Sequence, residues 1–155
     1  MKVFNREIDY AVRALIFLAF QEESGFISAA SLAEELGLPL NFLRRICSKL
    51  IRAEILTAKE GACGGVKLDK KPSEIDILEI MSLFRNELEL SDCTFRKKLC
   101  PNRNNCVLRK RILKIEDIIK REFQAITIQT LVDDLRAETK SVSKRRTKLK
   151  PRKEP

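Results

Sequence analysis

Residues 28–52 read SAASLAEELGLPLNFLRRICSKLIR, and this stretch decides the fold. Ser28 stands where an N-cap belongs, ahead of a short helix AASLAEEL. Gly37 stops that helix, because glycine accepts the left-handed backbone found past helix ends. Pro39 then opens another helix, where its missing N–H costs nothing. Within it Phe42, Leu43, Ile46, Cys47, Leu50 and Ile51 fall on one apolar face. Asn41, Arg44, Arg45, Ser48, Lys49 and Arg52 line the opposite face, which is polar and cationic.

Outward from this centre, Asn5 to about Glu23 reads as a helix, with Ala11, Leu15, Leu18 and Ala19 at helical spacing and Gly25 beyond its end. On the other side, EILTAKEGACGGVKLD holds two short β-like runs around a glycine-rich turn, a hairpin signal. Helix, short helix, turn, helix and hairpin is the order of a winged helix-turn-helix. The expected fold class is mainly α with a small β wing. In such a domain the third helix enters the DNA major groove and its polar face supplies the contacts. Asn41 and Arg44 stand near its start, where base edges are reached, with Arg45 and Ser48 on the same face. Lys49 further along is expected at a phosphate, and Lys59 is the wing's candidate DNA contact. A small α+β unit with a merely solvated helix face is the alternative.

Beyond the wing, Asp76 and Glu79 form a capping-box pattern ahead of ILEIMSLF. A long helix is expected from about Val107 to Ile126, with Leu108, Ile112, Ile115, Ile119, Phe123 and Ile126 three or four residues apart. Little neighbouring chain is left to cover such a stripe, which points to pairing with a second copy; packing back on its own domain is the rival. Thr127 caps a final helix, IQTLVDDL. These readings divide the chain into a DNA-binding domain over 1–90, a cysteine loop over 91–106, dimerisation and terminal helices over 107–136, and a basic tail over 137–155.

The chain has 155 residues, 44% of them hydrophobic, and a net charge of +9. From Lys140 to Pro155 there are eight basic residues and one acid, a net +7, which leaves +2 for the rest. That segment has almost no apolar residues to bury and reads as disordered. It is either an arm that touches nucleic-acid phosphates without reading sequence, or a solvated tail. The apolar run AVRALIFLAF is too short to span a bilayer and is broken by Arg13. Glu7 and Asp9 sit where a signal peptide would be basic, so a cytoplasmic location without membrane association is expected.

Three of the five cysteines fall in CTFRKKLCPNRNNC, residues 93–106, and the chain contains no histidine. In a reducing compartment such a cluster binds metal or does redox work rather than forming structural disulfides. Thiolates suit iron–sulphur clusters and zinc. A closed zinc site wants four protein ligands, and no histidine is available to be the fourth. Arg96, Lys97, Lys98 and Arg103 would offset the negative charge of a cluster. Cys47 reads as a core thiol, and Cys63 in the wing as a passive loop residue or an oxidisable one. Catalysis is not expected: no nucleophile–base pair has recognisable context, and GACGG lacks the strand-to-helix setting of a phosphate loop.

DYAVRAL, SLAEELGLPLNFLRRICSKL, GACGGVKLDKKPSEIDILEI and ITIQTLVDDL occur in this order over residues 1–136. In these segments the chain resembles the IscR/NsrR group of bacterial winged-helix regulators, the Rrf-two superfamily. The resemblance implies a homodimer that binds a palindromic double-stranded promoter site, as a repressor or other regulator. It also implies an iron–sulphur cluster, 2Fe-2S or 4Fe-4S, on Cys93, Cys100 and Cys106, here spaced C-x6-C-x5-C. The first gap is one residue longer than in several members. In nitric-oxide-sensing relatives an aspartate of helix one, in the same D-Y-A-x-R setting, reaches the cluster from the partner subunit. Asp9 occupies that place, with Glu7 the next candidate; a plain helix N-terminal acid is the alternative for Asp9. Rival functions are a zinc-stabilised interaction module and a regulator controlled by a partner protein.

Overall fold

The computed structural model describes residues 4–21, 25–61, 64–84, 88, 90 and 105–148, with side chains through residue 139. Among these residues six α-helices and one hairpin follow in the order α1 (Arg6–Phe20), α2 (Ala29–Leu36), α3 (Leu40–Arg52), β1 (Leu56–Lys59), β2 (Gly65–Leu68), α4 (Ile77–Phe84), α5 (Val107–Ala125) and α6 (Ile128–Lys148). The strands pair antiparallel from Leu56↔Leu68 to Lys59↔Gly65, which makes the wing. Ile27 adds a bridge to Val66 on the other edge of β2.

Side-chain caps fix most helix starts. The Asn5 carboxamide oxygen accepts the Ile8 N–H at 2.9 Å, and Ser28 Oγ accepts the Ser31 N–H at 3.0 Å. Gly37 closes α2 in the left-handed conformation, φ 63°, and the Leu38 N–H returns to the Ala33 carbonyl at 2.8 Å. Pro39 is the cap of α3 rather than its first helical residue. Helix α1 is shorter than the expected Asn5–Glu23, because the chain turns at Gln21. Only half of the expected capping box forms. Asp76 accepts the Glu79 N–H at 2.7 Å, but the Glu79 carboxylate turns away to Lys70 Nζ at 2.6 Å. That bond raises the Lys70 pKa above its ordinary value.

Among the described residues one core unites α1 to α4, the wing and the start of α6. Ile8, Leu15, Leu32, Leu43, Ile46, Leu50, Ile55, Leu56, Ile75 and Ile80 are fully buried in it, and so are Ile128 and Val132 of α6. The terminal helix, read from sequence with the dimerisation segment, therefore packs its first turns into the winged-helix body, against α1. Reciprocal bonds secure it: Ile77 N–H to Ile126 O and Ile128 N–H to Ile75 O, both 2.9 Å. Each such buried side chain contributes about 1.5–3 kcal/mol. Helix α6 also continues to Lys148, where disorder was expected from Lys140 onward. Its lysines and arginines are good helix formers, and they extend a helix already anchored in the core at Ile128 and Val132. Residues 149–155 lie outside the described residues.

Candidate functional site

The apolar residues of α3 leave its other side to solvent. Leu43, Ile46, Cys47 and Leu50 are buried, while Asn41, Arg44, Arg45, Ser48 and Arg52 are exposed. Burial pushes the Cys47 thiol up to about 11, so it is protonated at neutral pH and behaves as a core residue, as its position on the apolar face implies. Lys49 is only half-exposed. Its ammonium lies 3.5 Å from Glu7 Oε2 of α1 and 4.8 Å from the centre of the Phe84 ring of α4. Arg45 reaches the other oxygen of Glu7 at a looser 3.7 Å.

The wing adds a second cationic surface. Lys59 and Lys67 stand on one face of the hairpin, diagonal to one another in the register. Both ammoniums approach the Phe26 ring, at 6.0 and 4.9 Å from its centre. Sequence reading picked out Lys59 but missed Lys67 and Phe26. Alternation along VKL placed Lys67 on the solvent side of β2, which was the available signal.

The metal candidates are divided. Cys106 is the N-cap of α5, and its Sγ accepts the Arg109 N–H at 3.4 Å. Cys93, Cys100 and Cys63 lie outside the described residues. Among the described residues no three Cys, Asp or Glu side chains gather closely enough to hold a metal. Asp9 is half-exposed and paired with Arg13 one turn on, Nε to Oδ2 at 3.1 Å. Glu7, the other acid considered as a ligand, is occupied by Arg45 and Lys49.

The expected dimerisation stripe on α5 is open at two of its five positions and half-covered at the others, where Phe123 packs against the chain's own core. Leu108 is 69% and Ile115 49% exposed, and Ile112, Ile119 and Phe123 are half-buried. Val107, Leu113 and Ile118 are exposed beside them. The one buried residue of α5 is Glu116, whose carboxylate accepts the Leu90 N–H at 2.7 Å. Among the described residues no helix is long and apolar enough to cross a membrane.

Residues 4–134 match the family model Rrf2, described as iron-dependent transcriptional regulators. The chain belongs to the Rrf2 family. It is accordingly a DNA-binding transcriptional regulator and not an enzyme. The regulator NsrR of Shouchella clausii is 29% identical over 139 residues, covering 83% of this chain and 89% of its own. Among solved structures, IscR of T. potens aligns with a TM-score of 0.67 at 23% identity, over 87% of this chain and 88% of that one. CymR of B. subtilis, its global cysteine regulator, aligns with a TM-score of 0.68 at 22% identity, over 86% and 98%. Both likenesses establish the winged helix-turn-helix fold of this Rrf2 chain.

Proposed function

We propose that this Rrf2 chain is a cytoplasmic homodimer that binds a palindromic promoter site and whose affinity for it is set by an iron–sulphur cluster. One observation carries the DNA-binding half. The apolar face of α3 is buried, and the face left to solvent presents Asn41, Arg44, Arg45 and Ser48, with Lys59 exposed on the wing. Phosphate contacts would position the domain, and base contacts from Asn41 and Arg44 would specify the site. Dimerisation through Leu108, Ile112, Ile115, Ile119 and Phe123 would cover the apolar side chains that α5 leaves exposed. Two recognition helices would then meet half-sites about 34–36 Å apart.

The donor set fits an iron–sulphur cluster. It offers three soft sulfurs at Cys93, Cys100 and Cys106, in a chain without histidine and in a family described as iron-dependent. At Cys106 a backbone N–H is already directed at the sulfur, the kind of contact that tunes cluster potentials. Asp9 of the partner subunit would complete the set with a harder oxygen donor, the easiest corner to displace. When bound, the cluster supplies a centre reactive toward oxidants and nitric oxide. Cys106 caps the start of α5, so a movement of its sulfur would be passed to the helix proposed to join the subunits.

Anaerobic purification with an absorption spectrum and iron and acid-labile sulphide analysis tests this reading. Iron and sulphide in cluster ratio are expected in the wild-type protein, and none after Cys93→Ala, Cys100→Ala or Cys106→Ala. Zinc, or no metal at all, would instead assign the loop a structural role and the control of DNA binding to a partner protein.

A further inference from the structure

The cations of the recognition face are not equivalent. Arg44 and Arg52 are exposed, and Arg45 keeps 71% of its side chain exposed beside Glu7. Lys49 has two partners from two other helices. The Glu7 carboxylate on α1 is 3.5 Å from its ammonium, and the Phe84 ring on α4 lies 4.8 Å away on centre. Neither partner is free to follow a moving lysine. The Glu7 side chain is only 25% exposed, and Phe84 is 7% exposed and part of the core. To meet a phosphate, Lys49 would have to leave both, and the Glu7 carboxylate would keep only its looser contact with Arg45 next to an incoming polyanion.

We propose that Lys49 is a positioning residue and not a DNA contact: it pins the recognition helix to α1 and to the end of α4. The rotation of α3 about its own axis decides where Asn41, Arg44 and Ser48 point. The buried side of the helix is held by non-directional apolar packing, and Lys49 adds a directional tie at its edge. Arg45, one turn earlier and more loosely held, stays available to a phosphate.

The two roles differ in what salt does. Removing a phosphate contact lowers the log–log salt slope by about 0.9 on any duplex, because one fewer counterion is released. Removing a positioning tie leaves that slope alone and blurs discrimination. The probes are a duplex enriched from a random-sequence library with the wild-type protein, and a scrambled duplex of equal length. With full-length Lys49→Met, both slopes should equal the wild-type values. The preference for the enriched duplex should fall roughly tenfold, the size of one base contact. Lys49→Arg, which keeps charge and reach, should restore the preference, and Glu7→Gln should reproduce the loss. A slope reduced by about 0.9 on both duplexes, or wild-type preference in Lys49→Met and Glu7→Gln alike, overturns the proposal. The inference rests on α3 as the reading helix. If Arg44→Ala left binding to both duplexes unchanged, that assignment would fall and this one with it, whereas a slope loss in Lys49→Met removes this one alone.

Discussion

Gly65 opens the second strand of the wing with backbone on both sides. A Cβ there would run into the carbonyl carbon and oxygen of Ile27, closer than side chains approach backbone. Those same atoms belong to the bridge that ties the wing to the body, Ile27 N–H to Val66 O at 3.0 Å and Val66 N–H to Ile27 O at 2.8 Å. Gly65→Ala must push β2 away from Ile27 and weaken both bonds. A loss of about 1–3 kcal/mol is expected, read as a lower thermal midpoint of the whole domain. Wing and helix α3 share one core, so an unchanged midpoint would show that the wing is not held by this bridge. The sequence, with its paired glycines in GACGG, announced a turn but not which glycine was sterically required. The same limit applies to Glu54. It takes the left-handed conformation, φ 56°, in the turn out of α3, where local rules would have asked for glycine. The long-range pair between Glu7 and Lys49 was also hidden, because 42 residues separate its members and no spacing rule connects them.

At the scale of the elements, the sequence was legible at most places where a local rule governs. Helix α2 begins after Ser28 and ends before Gly37, and both strands lie within the glycine-centred hairpin. Periodicity identified the apolar face of α3 because burial and helical spacing agree there. It was silent on where α6 ends. The reading of a disordered tail came from the lack of apolar side chains, but the segment prolongs a helix whose first turns are anchored in the core at Ile128 and Val132, and adding residues to a formed helix costs far less than starting one. Helical backbone to Lys148 gives the basic residues of that segment a fixed rise along one rod. Removing residues 140–155 takes away eight basic residues while leaving Ile128 and Val132 in the core. The truncated protein should fold with an unchanged thermal midpoint. If the arm touches phosphates, its log–log salt dependence on DNA should flatten by about 0.9 for each phosphate the arm had neutralised. Equal slopes for the two proteins would assign the segment to solubility.

At the scale of the whole molecule, the two halves of the proposed sensing site come from different places. Asp9 lies on α1 in the winged-helix body, and Cys106 starts the helix expected to join the subunits. Asp9 is half-exposed and bound to Arg13 in an i,i+4 pair worth about 0.3–0.5 kcal/mol. Asp9→Ala should therefore leave the fold intact, and any change it brings reports on the cluster. It should leave the cluster assembled, with an altered spectrum and greater lability. Mixed dimers show whether the ligand crosses the interface. In a dimer of one Asp9→Ala subunit and one Cys106→Ala subunit, ligation across the interface puts both defects at one site and leaves the other site complete. Ligation within a chain spoils both sites, one through its aspartate and the other through its cysteine. The crossed dimer is expected to keep one wild-type-like cluster, read from its spectrum and its iron content. Two altered sites would place the carboxylate on the same chain as the sulfurs. A wild-type spectrum and reactivity in the Asp9→Ala homodimer would leave Asp9 as a partner of Arg13 alone and return the fourth ligand to solvent or to Glu7.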